Sequence, residues 1–219
     1  MNNTKYKVND IFETIQGEAK FTGTPSWFIR MQECPVGCPW CDTKFTWTLD
    51  NKTPNKMVIW TKEHENESWA DLTIHDIYTV LKRGKAKHVV ISGGEPCIQD
   101  LNPICNCLRD AGYTIQIETS GTYEIKCPDD VWVTLSPKID MPGGLEVLDS
   151  SWARANEIKM PIGKAKDIDK LKSHNKRDDV TVWLQPLSQS KKATILCVAE
   201  AIKNNWKISV QTHKYINQK

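Results

Sequence analysis

The chain has 219 residues, with 29 Lys and Arg against 27 Asp and Glu and a formal charge of +2; at ~150 residues per domain this predicts one domain spanning 1–219. So small a cationic excess excludes a protein held chiefly by phosphates, which removes nucleic acid as the default partner. No apolar run reaches the ~18 to 20 residues that cross a bilayer, and the polar opening Met1-Asn2-Asn3-Thr4-Lys5 lacks a signal-peptide core. The expectation is a cytoplasmic protein with no membrane partner, whose eight cysteines are thiols or metal ligands rather than disulfides.

Taken in chain order, Trp27, Ile29 and Met31 alternate with Phe28, Arg30 and Gln32, as on a strand. Residues 50–71 follow, where Asn51, Pro54, Asn55, Glu63, Glu65, Asn66 and Glu67 gather without apolar periodicity, and they are expected to form an insertion or lid. Ile74, Ile77, Tyr78 and Leu81 fall at i, i+3, i+4 and i+7 behind Thr73, which predicts an amphipathic helix capped by Thr73. A short apolar strand is expected at 88–92, then a helix over Leu101, Ile104, Cys105 and Leu108 stopped at Gly112. Further strands are expected at 113–119, 131–135, 157–160, 180–185 and 207–213, with a helix at 191–204. Strands alternating with helices predict the α/β class with a mainly parallel sheet.

The faces of these strands are unequal. Tyr113, Ile115 and Ile117 oppose Thr114, Gln116 and Glu118, and Ile208, Val210 and Thr212 oppose Ser209, Gln211 and His213. A parallel sheet covered on both sides reads as continuous apolar runs, so the polar face is expected to look into a wet or ligand-filled interior. An exposed sheet face is the plain alternative. Arg30, Glu118, Gln185 and His213 stand near strand ends, where α/β enzymes place their sites, which favours the interior. Lys164, Lys166, Lys170, Lys172, Lys191 and Lys192 read as solvated helix faces, and Trp27, Trp132, Trp183 and Trp206 as core or pocket wall.

The most specific feature is Cys34-Pro35-Val36-Gly37-Cys38-Pro39-Trp40-Cys41, three thiols on a loop that Gly37 and Pro39 allow to curl. A structural zinc usually takes four protein ligands. In a 4Fe-4S cluster three cysteines leave one iron open to a small molecule. A zinc loop with a remote fourth ligand among Cys97, Cys105, Cys107, Cys127 and Cys197 remains the alternative, although Cys105 and Cys107 lie two apart on a helix and point in different directions. Some fifty residues on, Ser92-Gly93-Gly94-Glu95-Pro96 follows a strand. By itself it is a turn. Its glycines let backbone approach a ligand closely, and its carboxylate can accept hydrogen bonds from an ammonium.

Together these elements, with Trp40 before the last cysteine, resemble the radical S-adenosylmethionine superfamily. Phe12-Glu13-Thr14-Ile15-Gln16-Gly17-Glu18, Phe28-Ile29-Arg30, Cys38-Pro39-Trp40-Cys41-Asp42-Thr43, Ile117-Glu118-Thr119-Ser120-Gly121-Thr122, Ser136-Pro137-Lys138 and Gln211-Thr212-His213-Lys214-Tyr215 resemble, nearly end to end, its 7-carboxy-7-deazaguanine synthase family. The resemblance implies a partial, incomplete TIM-like barrel with mainly parallel strands. It also implies a lyase of queuosine biosynthesis that converts 6-carboxy-5,6,7,8-tetrahydropterin to 7-carboxy-7-deazaguanine with loss of ammonia. The implied cofactors are a 4Fe-4S cluster on Cys34, Cys38 and Cys41, S-adenosylmethionine, and Mg2+ on Thr43. Cofactor contacts would come from Gly94, Glu95, Ser136, Pro137 and Lys138, and from the turn Gln185, Pro186, Leu187 and Ser188. Substrate contacts would come from Ile15, Gln16, Gly17, Arg30 and Ser92, with Glu118 and His213 as interior groups. The implied partners are an electron donor such as flavodoxin and a second copy in a homodimer.

Without the resemblance, Arg30 reads equally as a surface ion pair, Thr43 as a turn residue, the proline turns as strand ends, and His213 as a satisfied structural donor. Two departures stand out. Ala19 replaces the glycine that usually ends the Q-G-E-G stretch, at a cost of about 1 kcal/mol if the site needs positive φ, and Ser92 stands where threonine is common. The rival functions are a glycyl-radical activating enzyme, which shares the cysteine loop, and a zinc-binding interaction module.

Overall fold

The computed structural model describes residues 4–60 and 62–218. The opening Met1-Asn2-Asn3, residue 61 of the expected insertion and residue 219 lie outside the described residues. The chain starts with β1 (Lys5–Ile15) and β2 (Pro25–Met31), then α1 (Met57–Trp60), β3 (Ala70–Thr73) and α2 (Ile74–Leu81). It continues through β4 (His88–Gly93), α3 (Asn102–Asp110), β5 (Thr114–Thr119), β6 (Trp132–Leu135), α4 (Asp149–Arg154), β7 (Glu157–Ile162) and α5 (Ala165–His174). The last elements are β8 (Thr181–Pro186), α6 (Lys191–Asn204), β9 (Lys207–Ile208) and α7 (Thr212–Tyr215).

The strands form one sheet in the order β3-β1-β2-β4-β5-β6-β7-β8-β9. From β2 to β9 every neighbour is parallel, while β1 pairs antiparallel with both β2 and β3. The outer strands β3 and β9 do not meet, so the sheet curls into an incomplete barrel, as expected. One apolar face packs under helices: Ile77, Leu81, Ile104 and Leu108 cover Ile29, Val89, Ile91 and Ile117, and Ile168, Leu171 and Cys197 cover Ile158, Val182 and Leu184. Helix boundaries follow the capping chemistry. Thr73 and Asp76 close a reciprocal capping box on α2, and Gly112, at φ +82°, ends the turn after α3. Among the described residues no helix is long and apolar enough to cross a membrane.

The polar face of the sheet is the inner one. Gln16 donates to Gln116 (3.1 Å) and Glu118 (3.0 Å), Gln116 to Thr134 (2.9 Å), Thr134 to Glu157 (2.7 Å), and the Trp183 indole to Glu157 (2.8 Å). The middle of the barrel is therefore filled by side chains bonded to one another, as buried polar groups require. At the strand beginnings Phe21 closes it, 4.3 Å from the His88 ring and edge-on to Trp132 at 5.7 Å.

One expectation is corrected and three features are added. The strand expected at 207–213 stops at Ile208, and residues 212–215 form one helical turn. The first strand, β1, had no periodic signature because its pairing with β2 shifts between Val8 and Asp10, which breaks the alternation and buries Asn9 and Asp10. Within the 50–71 segment, Ile59 and Trp69 are buried, and residues 70 and 71 belong to β3. Lastly, α4 and α5 were not foreseen as elements, although Lys170 and Lys172 do lie on a helix whose buried side is Ile168 and Leu171.

Candidate active site

A cavity of about 340 Å³ opens at the C-terminal ends of the parallel strands. Cys34, Cys38 and Cys41 share its wall on the loop after β2. That loop is held by local bonds, Cys34 N–H to the Trp47 carbonyl (3.2 Å) and Cys41 N–H to the Cys38 carbonyl (3.0 Å), and from outside by Gly143 N–H to the Val36 carbonyl (3.1 Å). The segment around Gly143 carried no sequence signal, because it acts through backbone alone. Burial pushes the Cys34 thiol up to about 12 and also raises Cys38, where Lys138 offsets part of the effect. Without a cation beside them, burial thus favours the neutral thiols. Among the described residues no three His, Cys, Asp or Glu side chains stand gathered as around a single ion. A four-iron cluster takes each thiolate on a different iron. Three cysteines on one wall are a donor set that fits the cluster. Thr43 Oγ1 lies 3.5 Å from Cys41 Sγ on the same wall.

Beside the thiols, Lys138 donates to the Ser136 carbonyl (2.8 Å) and hydroxyl (2.6 Å) and reaches over Trp40, 5.5 Å from the ring centroid. Burial lowers its pKa. The cavity floor is a buried ionic triad. The Lys159 ammonium bonds Glu18 and, at 2.8 Å, Glu118; Gln185 and Gln211 add donors to Glu18 at 3.2 and 2.8 Å. Burial alone would raise the Glu18 carboxyl, but the adjacent ammonium outweighs it and holds Glu18 well below the usual carboxylate range. The two carboxylates in turn raise Lys159 above its ordinary value, despite burial.

On the rim, Arg30 extends from β2 beside Ser92 of β4. Its guanidinium carbon sits 5.1 Å from the Phe12 ring centroid and 5.3 Å from that of Phe45. Gly93, at φ +108°, leaves the room this needs, since a Cβ there would lie 2.6 Å from Arg30 Cγ and 2.4 Å from Met31 N. Glu95, 1% exposed, accepts from Cys97 N–H (3.0 Å), Thr119 Oγ1 (2.6 Å), Ser120 N–H (2.8 Å) and the Ser120 hydroxyl.

The cavity wall thus gathers Arg30, Ser92, Gly94, Glu95, Glu118, Ser136, Lys138, Gln185, Pro186, Leu187 and Ser188 with Thr43 and the three cysteines. Ile15, Gln16, Gly17, Pro137 and His213 are not on it. Gln16 acts one layer deeper, on Glu118. Gly17 and His213 pack on each other, a Cβ on Gly17 falling 2.1 Å from His213 Nδ1, because α7 docks here through Thr212 N–H to the Gly17 carbonyl (2.9 Å). His213 is thus no interior group of a strand, and burial lowers its pKa. The Glu95 carboxylate has its acceptor sites filled by these donors and so braces the loop. Ala19 has φ +53°, so the left-handed conformation is present and its cost of about 1 kcal/mol is borne by a buried turn. Glu18, Lys159 and Gln211 were missed as wall residues, although the alternation of Glu157 with Lys159 on one face was a readable signal.

Comparison with known proteins follows this geometry. No protein-family model matches the chain. It is 47% identical to the 7-carboxy-7-deazaguanine synthase of Escherichia coli strain K12, over 97% of this chain and 99% of that protein. To the enzyme of the same name from Buchnera aphidicola subsp. Schizaphis graminum it is 44% identical, over 96% and 98%. The crystal structure of QueE from Escherichia coli superposes with a TM-score of 0.89 at 46% identity, covering 94% of each chain.

Proposed function

This chain belongs to the 7-carboxy-7-deazaguanine synthase family, an enzyme of queuosine biosynthesis, and from that premise we propose how its cavity carries out the conversion of 6-carboxy-5,6,7,8-tetrahydropterin. The observation that carries the reading is the placement on one cavity wall of three thiols, the Gly94 and Lys138 loops, and the cation Arg30. Cys34, Cys38 and Cys41 would hold a 4Fe-4S cluster, with S-adenosylmethionine beside it. When bound, this pair supplies one-electron chemistry that the protein cannot.

The chain's own residues position and shield. Gly94 brings backbone to the cofactor side, while Glu95 pins that loop to Thr119 and Ser120. Lys138 places positive charge beside the thiolates, with Ser136 fixing its direction. Arg30 pairs with the substrate carboxylate, as a planar fork suited to two parallel bonds. The floor triad holds two carboxylates against one ammonium, a net charge of −1, and so suits the N–H edge of a pterin. Thr43 lends its hydroxyl to Mg2+, an ion that takes few protein ligands. Support for an external electron donor comes from the cysteine loop's surface position, with Pro39 and Asp42 exposed. Support for a homodimer comes from Ile195, Val198 and Ile202, an exposed apolar stripe at i, i+3 and i+7 of α6.

Anaerobic reconstitution tests the reading. About four irons and four sulfides per chain are expected, lost together in a Cys34→Ala variant, with consumption of the carboxytetrahydropterin when reductant is added. One zinc without sulfide, or a full cluster that consumes no pterin, would overturn it.

A further inference from the structure

In the structure Arg30 already holds a carboxylate. Its Nη1 lies 2.5 Å from Glu65 Oε1, on a loop of the 50–71 segment. The two sides of this pair differ: the Arg30 side chain is 12% exposed and Glu65 41%. Arg30 is fixed by Phe12, Phe45 and the gap at Gly93, whereas Glu65 stands at the tip of its loop. The loop's base is firmly held. Lys62 donates to the carbonyls of Asn66 (3.0 Å) and Ser68 (2.7 Å) and to Asn9 Oδ1 (3.1 Å), and the Asn9 amide returns bonds to the same two carbonyls. The buried Asn9 amide also bonds Gln32 at 2.9 Å, so the base is tied to the sheet. A clamped base thus carries a carboxylate that meets Arg30, itself a cavity-wall residue.

We infer that Glu65 is an internal competitor for the substrate carboxylate, a specificity-determining residue that Arg30 must release before it can bind the anion. This deepens the preceding reading and rests on its assignment of Arg30. An anion entering the cavity takes the guanidinium, and Glu65, already facing solvent, turns outward while Lys62 keeps the loop base in place. A ligand without a carboxylate leaves the internal pair intact. The free protein thus keeps Arg30 paired for much of the time, and the affinity of every carboxylate ligand is reduced by the population of the closed pair. For a half-exposed pair that reduction is about two- to fivefold, and it weakens with salt.

The test is equilibrium binding to anaerobically reconstituted enzyme with S-adenosylmethionine and no reductant, using the fluorescence of 6-carboxypterin and, as the uncharged control, pterin. Glu65→Gln should tighten 6-carboxypterin about two- to fivefold, leave pterin unchanged, and lose its advantage at high salt. Arg30→Ala should weaken 6-carboxypterin, and adding Glu65→Gln to it should change nothing further. If Arg30→Ala weakens binding but Glu65→Gln leaves it unchanged, or weakens it, Glu65 is no competitor and the substrate reading stands alone. If Arg30→Ala has no effect, the carboxylate clamp itself is wrong and the inference falls with it.

Discussion

Replacing Lys159 by Met removes the one cation from a floor on which two carboxylates converge. In the native protein Glu18 and Glu118 both face its ammonium, and Lys159 is only 4% exposed. Breaking a buried pair by deleting one partner costs ~3–5 kcal/mol, because the other charge is left without compensation. Here Glu18 keeps its bonds from Gln185 and Gln211, and Glu118 its bond from Gln16, which places the expected loss near the lower end, about 3 kcal/mol. For a chain of this size that is a fall in Tm of roughly 6–12 °C. The pH dependence fixes the cause. Glu18 is held below its ordinary value in the native state, so its contribution is fully present above the unfolded carboxylate pKa and fades as pH falls below it. In Lys159→Met the orphaned carboxylates are disfavoured when charged, and protonation relieves them. Urea unfolding of both proteins should therefore show the widest gap at pH 7 and a narrower one at pH 4. A gap under about 1 kcal/mol at pH 7, or one that does not change between the two, would refute the reasoning.

Gly17→Ala should push α7 off the barrel, since the new Cβ would meet both the His213 ring and its backbone N at 2.1 and 2.8 Å; the expected cost is about 1–3 kcal/mol, with faster hydrogen exchange at 211–215, and unchanged exchange and melting would contradict it. Glu95→Gln turns one acceptor oxygen into a donor facing donors, at about 2–4 kcal/mol. It should lower stability and S-adenosylmethionine affinity together, measured by unfolding and by equilibrium binding to the reconstituted protein. A loss of affinity without loss of stability would show that Glu95 contacts the cofactor after all.

Much of this protein was legible in its residues. The capped helix behind Thr73, the stop at Gly112 and the parallel strands at 88–92 and 113–119 follow from local periodicity and end chemistry, which act over a few residues and leave their mark there. The three-cysteine loop and the G-G-E turn were equally plain, because cluster ligation demands a fixed residue type at a fixed spacing. The opposition of Gln116 and Glu118 to Ile115 and Ile117 in the sequence points to a polar interior. Tertiary structure alone decided how that interior is divided. Gln16, far away in sequence, satisfies Gln116 and Glu118 and fills the middle of the barrel, while Lys159 pairs with Glu18 across the floor. It also decided that β1 is a strand despite its broken alternation, that α7 turns away where a strand was expected, and that Glu65 reaches Arg30. Each of these is a contact between distant parts of the chain, chosen by burial and charge compensation once the sheet has curled, and no local pattern encodes it.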